Sequence, residues 1–322
     1  MRPSLVPLGV AAVVALLGLF PLRASAGERV TVQVKPIQVG PHSYYVRGLA
    51  SEASNENQGF ISNAGFVVTP AGVVVFDTLG TPALGEELIR QIRKVTRQPI
   101  QRVIVSHFHA DHGYGLQAFK AIGVEVWAHR EGKLYLDSDL ARQRLEQRRK
   151  MLAPWVDGET RLVPADVWLD GDTTFELGGV RFELIFLGPA HSPEDLMLKV
   201  SPDGVLFSGD LLFTGRIPFV GEADSARWLA AIERLLAFKP KAMVPGHGKA
   251  SSNPAADLML TRDYLLYLRE VMKRAVDDFV PFDEAYGKVD WSRFSRYPAF
   301  EAANRVNAYN TYLLLEKESL AK

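Results

Sequence analysis

The sequence contains no cysteine. That absence removes disulfides, thiolate metal sites, cysteine nucleophiles and lipoprotein anchoring together, so any bound metal has to be held by nitrogen and oxygen. An excess of one charge is also missing: 37 basic and 37 acidic side chains balance across 322 residues, which leaves no global field to draw the chain onto nucleic acid or an anionic membrane. Apolar runs of membrane-spanning length are lacking too. The run from Leu5 to Phe20 has 16 residues, short of the roughly 20 that a bilayer requires. What is present, 47% hydrophobic and 23% charged residues, is the composition of a folded globular chain rather than a disordered one, with enough apolar side chains for one large domain or two small ones.

Arg2 precedes the apolar run, and Ala24-Ser25-Ala26 follows it as a small-residue cleavage site before Gly27. Residues 1–26 therefore read as a secretory signal peptide and residues 27–322 as the mature protein, periplasmic or secreted, with no stable membrane anchor after cleavage. Cleavage removes only Arg2 and Arg23, leaving 35 basic against 37 acidic groups. The expected partner is a small-molecule substrate and not nucleic acid.

Periodicity predicts strands over Val30–Val34, Tyr44–Val46, Phe66–Thr69 and Val73–Phe76, with the polar, Asn-rich stretch from Arg47 to Gly59 as a hairpin flap. Thr81-Pro82 is an N-cap with proline at the first helical position, and Leu84, Leu88, Ile89 and Ile92 follow at helical spacing. A strand over Ile100–Ser106, a short helix over Tyr114–Ala121 and a strand over Val124–Trp127 come next. This alternation indicates an α/β layered fold. Glu131–Met151 reads as a basic helix (Arg142, Arg144, Arg148, Arg149, Lys150) whose interspersed Asp137, Asp139 and Glu146 mark a solvated face. Further strands fall over 167–169, 173–177, 180–186, 196–200 and 205–208, a helix follows Asp224, and Ala242–Val244 is the last strand. Residues 255–322 form a helical C-terminal extension, with Leu258, Leu265, Leu268 and Met272 as its core stripe.

Five of the seven histidines lie just beyond predicted strands: His107, His109, His112, His191 and His247. Asp111 and Asp210 accompany them. Loops at strand ends are where a rigid scaffold presents functional groups. The run His107-Phe108-His109-Ala110-Asp111-His112 packs three imidazoles and a carboxylate into six residues, which depresses imidazole basicity and costs free energy unless a cation takes the place of the protons. Alternate residues of an extended loop point the same way, so His107 and His109 can share one ion while Asp111 and His112 turn toward a second.

The order His-x-His-x-Asp-His, Gly-Pro-Ala-His, Ser-Gly-Asp and Gly-His-Gly, each after a strand, resembles the metallo-β-lactamase-fold hydrolase superfamily over roughly Asn63 to Gly248. The resemblance implies an αββα four-layer sandwich with a two-zinc site in a groove at one edge. It assigns His107, His109 and His191 to the first metal, Asp111, His112 and His247 to the second, and Asp210 to a bridge between them. Asp77 matches the aspartate that orients ligands from behind. It also implies a metal-bridging hydroxide that cleaves an ester, thioester, lactone or amide-type bond, with Asp111 and Asp210 as the catalytic carboxylates holding ions and hydroxide. Asp210 stands where several β-lactamases carry cysteine or serine, as in the glyoxalase-II-like branch, so β-lactam hydrolysis is the less favoured activity. The segments Arg216–Gly221 and Asn304–Tyr309 are similar to those of periplasmic members associated with sulfur-oxidation and quinoprotein systems, the SoxH-like group. A different activity within this fold, persulfide oxidation at a single Fe²⁺, would use fewer of these ligands.

Tyr44, Tyr45, Phe60, Trp155, Phe213, Arg216 and Phe219 lie on segments able to rim the groove. Tyr45 and Phe219 are the aromatic candidates for substrate contact, and Arg216 is the candidate clamp for an anionic group. Each aromatic has core packing as its alternative and Arg216 has a structural ion pair. His42 and His129 match no motif and are expected to be structural or surface residues.

Overall fold

The computed structural model describes residues 29–321. The expected signal peptide, residues 1–26, lies outside them. Among the described residues twelve strands form two sheets. The first runs β1 (Pro36–Gln38), β2 (Ser43–Val46), β3 (Ala64–Thr69), β4 (Gly72–Phe76), β5 (Ile100–Ile104), β6 (Glu125–His129) and β7 (Val167–Leu169) in spatial order. The second is ordered β12 (Ala242–Val244), β11 (Val205–Phe207), β10 (Leu196–Ser201), β9 (Val180–Phe186) and β8 (Thr173–Leu177). From β4 to β7 the pairing is parallel, as are β11 and β12, while the hairpins are antiparallel.

Strand alternation builds the layers. Val73, Val75, Val103 and Val105 face the packed helices α1 (Pro82–Val95) and α3 (Leu116–Ala121), whose Leu84, Leu88, Leu116 and Phe119 complete that core. Their neighbours Val74, Phe76 and Ile104 point the other way, into a core shared with Leu196, Leu198, Val205 and Phe207 of the second sheet. Met197, Leu206 and Met243 turn to the far face and meet α6 (Ser225–Ala237), α7 (Pro254–Asp277) and α9 (Phe300–Leu320). The expected αββα sandwich with a helical extension is what the chain forms. Burying both sides of β4 explains why Val73–Phe76 is an unbroken apolar run. α1 starts as anticipated, Thr81 accepting from the Leu84 N–H at 3.2 Å.

Some elements differ from expectation. Val30–Val34 is not a strand: the Thr31 and Val32 N–H groups donate to the Gln58 side chain at 2.9 and 3.4 Å, and the valines pack onto the first core without a strand partner. The basic helix divides into α4 (Glu131–Leu136) and α5 (Asp139–Met151), because Ser138 caps a fresh helix by accepting from Ala141 N–H at 3.1 Å. A short helix, α8 (Phe282–Lys288), is additional. Among the described residues no helix is long and apolar enough to cross a membrane.

Candidate metal centre

All five loop histidines converge at the C-terminal edges of the two sheets. β5 delivers His107 and His109; α2 (Ala110–Gly113) then starts inside the motif and carries Asp111 and His112 toward His247. His191 follows β9, Asp210 sits in the 3₁₀ turn after β11, and His247 follows β12. One ligand atom from each of His107, His109, His191 and Asp210 lies within 4.8 Å of the others, and the same holds for Asp111, His112 and His247. Alternation alone would leave Asp111 beside His107 and His109; the helical turn of α2 is what groups it with His112.

Asp210 stands between the sets. Its Oδ2 is 3.9 Å from His107 Nε2, 3.4 Å from His191 Nε2 and 3.4 Å from His247 Nε2, and its Oδ1 is 3.1 Å from His112 Nε2. Asp111 Oδ2 lies 3.6 Å from His112 Nε2 and 3.2 Å from His247 Nε2. The approach of backbone behind Asp210 requires glycine at position 246, where a Cβ would fall 1.9 Å from Asp210 Oδ1. That contact gives the Gly-His-Gly motif its first glycine.

The outer ring nitrogens are anchored so that the inner ones face the centre. Asp77 accepts from Ser106 N–H at 2.7 Å, Ser106 Oγ–H at 2.8 Å and His112 Nδ1–H at 2.9 Å. Because Ser106 Oγ donates to Asp77, it accepts from His107 Nδ1–H at 2.9 Å. His247 Nδ1–H donates to the Ile61 carbonyl at 2.8 Å. Asp77 holds this post at φ +61, a left-handed conformation that aspartate tolerates better than most residues.

With those tautomers fixed, His107 Nε2, His112 Nε2 and Asp210 Oδ1 are buried with no hydrogen-bond partner. The 3.1 Å approach of His112 Nε2 to Asp210 is not aligned as donor and acceptor. Orphaned buried nitrogens and carboxylate oxygens each carry a desolvation cost, and a cation removes it. The residues therefore fit a metal, and a nitrogen and oxygen donor set of this kind suits Zn²⁺ or another divalent first-row ion.

Protonation follows the same division. Burial, then the neighbouring imidazoles, hold His107 and His109 well below the ordinary histidine range, and burial brings His191 down to about 4. These three are neutral donors. Burial opposes charge on His112 and His247 as well, but the Asp210 and Asp111 carboxylates outweigh it and raise both. Burial likewise opposes charge on Asp111 and Asp210, yet the His112 and His247 charges keep both low. A metal in the second set would displace imidazole protons on binding.

A family model described as the metallo-beta-lactamase superfamily matches residues 57–247, a span holding every one of these groups. The chain belongs to this superfamily. The linear primary-alkylsulfatase of Pseudomonas sp. (strain ATCC 19151) is 25% identical over 263 residues, covering 69% of this chain and 49% of the relative, so the chain spans about half that relative's length. Metallo-beta-lactamase IND-1 of Chryseobacterium indologenes is 24% identical, with 70% of this chain and 85% of that protein covered. The solved structure of the inverting sec-alkylsulfatase Pisa1 from Pseudomonas sp. superposes with a TM-score of 0.66 at 18% identity, covering 87% of this chain and 50% of that one. A share of 87% exceeds the 253 residues that precede α7, so the likeness in fold enters the helical extension.

The expected substrate contacts fare differently. Tyr45 does not rim the groove: strand alternation turns it into the core between the sheets, 2% exposed, with its hydroxyl accepting from Ala250 N–H at 3.1 Å. Phe60 and Phe213 are also buried, and Phe213 stacks on His247 with ring centroids 5.0 Å apart. Arg216 is no open clamp. It lies buried behind His247, 3.5 Å from Nδ1, which already donates to Ile61, and 3.8 Å from Glu52, a half-buried version of its ion-pair alternative. Phe219 is 37% exposed over Gly221. His42 is structural, its Nδ1 2.7 Å from Asp203, and His129 stacks on Phe186 at 3.7 Å.

Proposed function

We propose that the protein is an exported hydrolase, periplasmic or secreted, that holds two zinc ions and cleaves an ester, thioester, lactone or amide-type bond in a small molecule. The observation that carries this reading is the pair of ligand sets joined through one buried carboxylate, Asp210, whose oxygens approach imidazoles of both. His107, His109 and His191 would hold one ion, Asp111, His112 and His247 the other, with Asp210 shared. When bound, a pair of divalent ions supplies a water acidic enough to ionise near neutral pH and a Lewis acid for the substrate oxygen.

The chain's own residues do the rest. Neutral His107, His109 and His191 offer lone pairs without first losing protons, while Asp77, Ser106 and the Ile61 carbonyl keep three rings from rotating. Asp111 and Asp210, held low, remain anionic and are placed to orient a nucleophilic water. The buried walls formed by Phe213 and Trp228, whose rings lie 6.0 and 5.1 Å from His191, exclude bulk water from one side. Retention of all seven groups supports two ions over the single-iron persulfide oxidation considered above. The segments Arg216–Gly221 and Asn304–Tyr309 keep the SoxH-like, quinoprotein-associated group as the subgroup we favour.

The test is a panel of thioesters, lactones, β-lactams, phosphodiesters and sulfate esters offered to zinc-loaded protein, with metal content measured on the same sample. Turnover of one class that disappears in Asp210→Ala supports the reading. Inactivity across the panel with one iron per chain sinks it.

A further inference from the structure

The cationic side chains of α5 divide into two kinds. Arg142 pairs with Asp139, and Arg149 pairs with Glu146 and donates to the carbonyls of Asp157 and Thr160. Arg144 and Arg148 are half-buried on the stripe that also carries the buried Ala141 and Leu145, and among the described residues neither has a carboxylate oxygen within 4.0 Å. Four residues apart, their Cβ atoms lie about 6 Å from each other on one helix face.

That stripe packs over the turn bearing the ligands. Leu145 shares an apolar cluster with Ala110 and Tyr114, and Arg148 lines a small cavity together with Asp111 and Gly80. The Arg144 guanidinium carbon is 5.8 Å from the Tyr135 ring centre, and that ring stands edge-on 6.2 Å from His109. Tyr114 is 3% exposed, and its hydroxyl has no hydrogen-bond partner. Of the nearby carboxylates, Asp111 is engaged with His112 and His247, and Glu194 accepts from the Phe108 N–H at 3.1 Å through Oε1 while its Oε2 has no hydrogen-bond partner. Two guanidinium forks without counter-charge on one face of α5, and one buried hydroxyl without an acceptor in the apolar cluster beneath that face, thus lie beside the ligand cluster, and anionic oxygens satisfy all three.

We propose that Arg144, Arg148 and the Tyr114 hydroxyl form an oxyanion-binding subsite beside the His/Asp cluster, selecting small substrates that carry a sulfate, phosphate or carboxylate group next to the bond to be cleaved. The word substrate rests on the hydrolase reading; the binding of an oxyanion does not. The subsite gives the protein a preference for anionic esters over neutral ones, set by α5 rather than by Arg216.

Calorimetric titration of zinc-loaded protein with sodium sulfate, sodium phosphate and sodium acetate, at ionic strength matched with sodium chloride, tests this directly. At least one anion is expected to bind saturably, and R144Q/R148Q is expected to weaken it tenfold or more. R144K/R148K, which keeps the charges and loses the forks, should fall between. Zinc content and the thermal transition of each variant establish that the scaffold is intact; should the double variant fail to fold, Arg148→Gln and Tyr114→Phe carry the test singly. The order of the three anions identifies which oxyanion the subsite fits. Equal binding to wild type and R144Q/R148Q, or no saturable binding at all, overturns the proposal. Arginine-dependent anion binding without turnover of any panel substrate keeps the subsite and fails the hydrolase reading instead.

Discussion

Asp77→Asn isolates the control of one metal-facing nitrogen from everything else. Asp77 accepts three hydrogen bonds, two of them on Oδ2: from Ser106 Oγ–H at 2.8 Å and His112 Nδ1–H at 2.9 Å. Asparagine tolerates the φ of +61 and keeps an acceptor for Ser106 N–H. Its NH₂ then faces the Oδ2 partners. Ser106 Oγ can turn and accept, but His112 Nδ1–H meets another donor. The relief is a shift of the proton to Nε2, the nitrogen that faces Asp210 at 3.1 Å, which removes His112 as a ligand. Loss of an orienting partner of this kind costs roughly 10- to 100-fold in metal affinity, or about 1.4 to 2.8 kcal/mol. The fold loses less, since one charge-assisted bond of about 1.5 to 3 kcal/mol is exchanged for a neutral one of about 0.5 to 1.5 kcal/mol, a difference of about 1 kcal/mol. Competition with a chromogenic chelator measures zinc affinity, and urea unfolding of metal-free protein measures the fold. Wild-type affinity for both ions in Asp77→Asn would refute the reasoning about His112.

Three further outcomes follow from the geometry. Gly246→Ala puts a methyl 1.9 Å from Asp210 Oδ1 and 2.8 Å from the Gly209 carbonyl carbon, so Asp210 must move; destabilisation of about 1 to 3 kcal/mol should accompany loss of shared metal binding, read by urea unfolding and zinc titration. Asp195 is buried and raised well above the ordinary aspartate range by that burial, against its bonds from Ser192 N–H and Oγ–H, each 2.8 Å. A raised carboxylate favours the fold fully below its unfolded value near 4 and loses that contribution as pH climbs through the folded value; Asp195→Asn should therefore gain on wild type between pH 5 and pH 8, and a pH-independent difference in urea unfolding would contradict this. His191→Ala should lower zinc stoichiometry by about one ion while leaving the second set occupied, measured by elemental analysis after dialysis.

Much of this architecture was legible because burial and chemistry left periodic marks. Two-sided burial wrote β4 as Val73–Phe76, and the crowding of three imidazoles and a carboxylate into His107 to His112 marked the cluster, while its division into two groups follows from α2 starting at Ala110. What escaped was the identity of partners. Val30–Val34 alternates like a strand, but periodicity cannot say whether a neighbour is free to pair, and the Gln58 amide takes two of its N–H groups instead. Tyr45 was placed at the rim because aromatic residues near a groove invite it; its odd position in β2 turns it inward against Ala250. The basic stretch read as a solvated face because carboxylates intersperse it, and they do neutralise Arg142 and Arg149. Only the packing of Ala141 and Leu145 reveals that Arg144 and Arg148 share the inward stripe. The reach of Asp77 across 29 residues to Ser106 and 35 to His112 is likewise invisible to spacing and came only through family resemblance.

The central claim is that two ligand sets joined by Asp210 hold two metal ions. Elemental analysis of the purified exported protein, dialysed against buffer without chelator and referenced to protein concentration by amino-acid analysis, tests it most directly. The account predicts about two zinc per chain, falling to about one or less in Asp210→Ala. A single iron per chain, or no retained metal in protein whose thermal transition shows it folded, contradicts it.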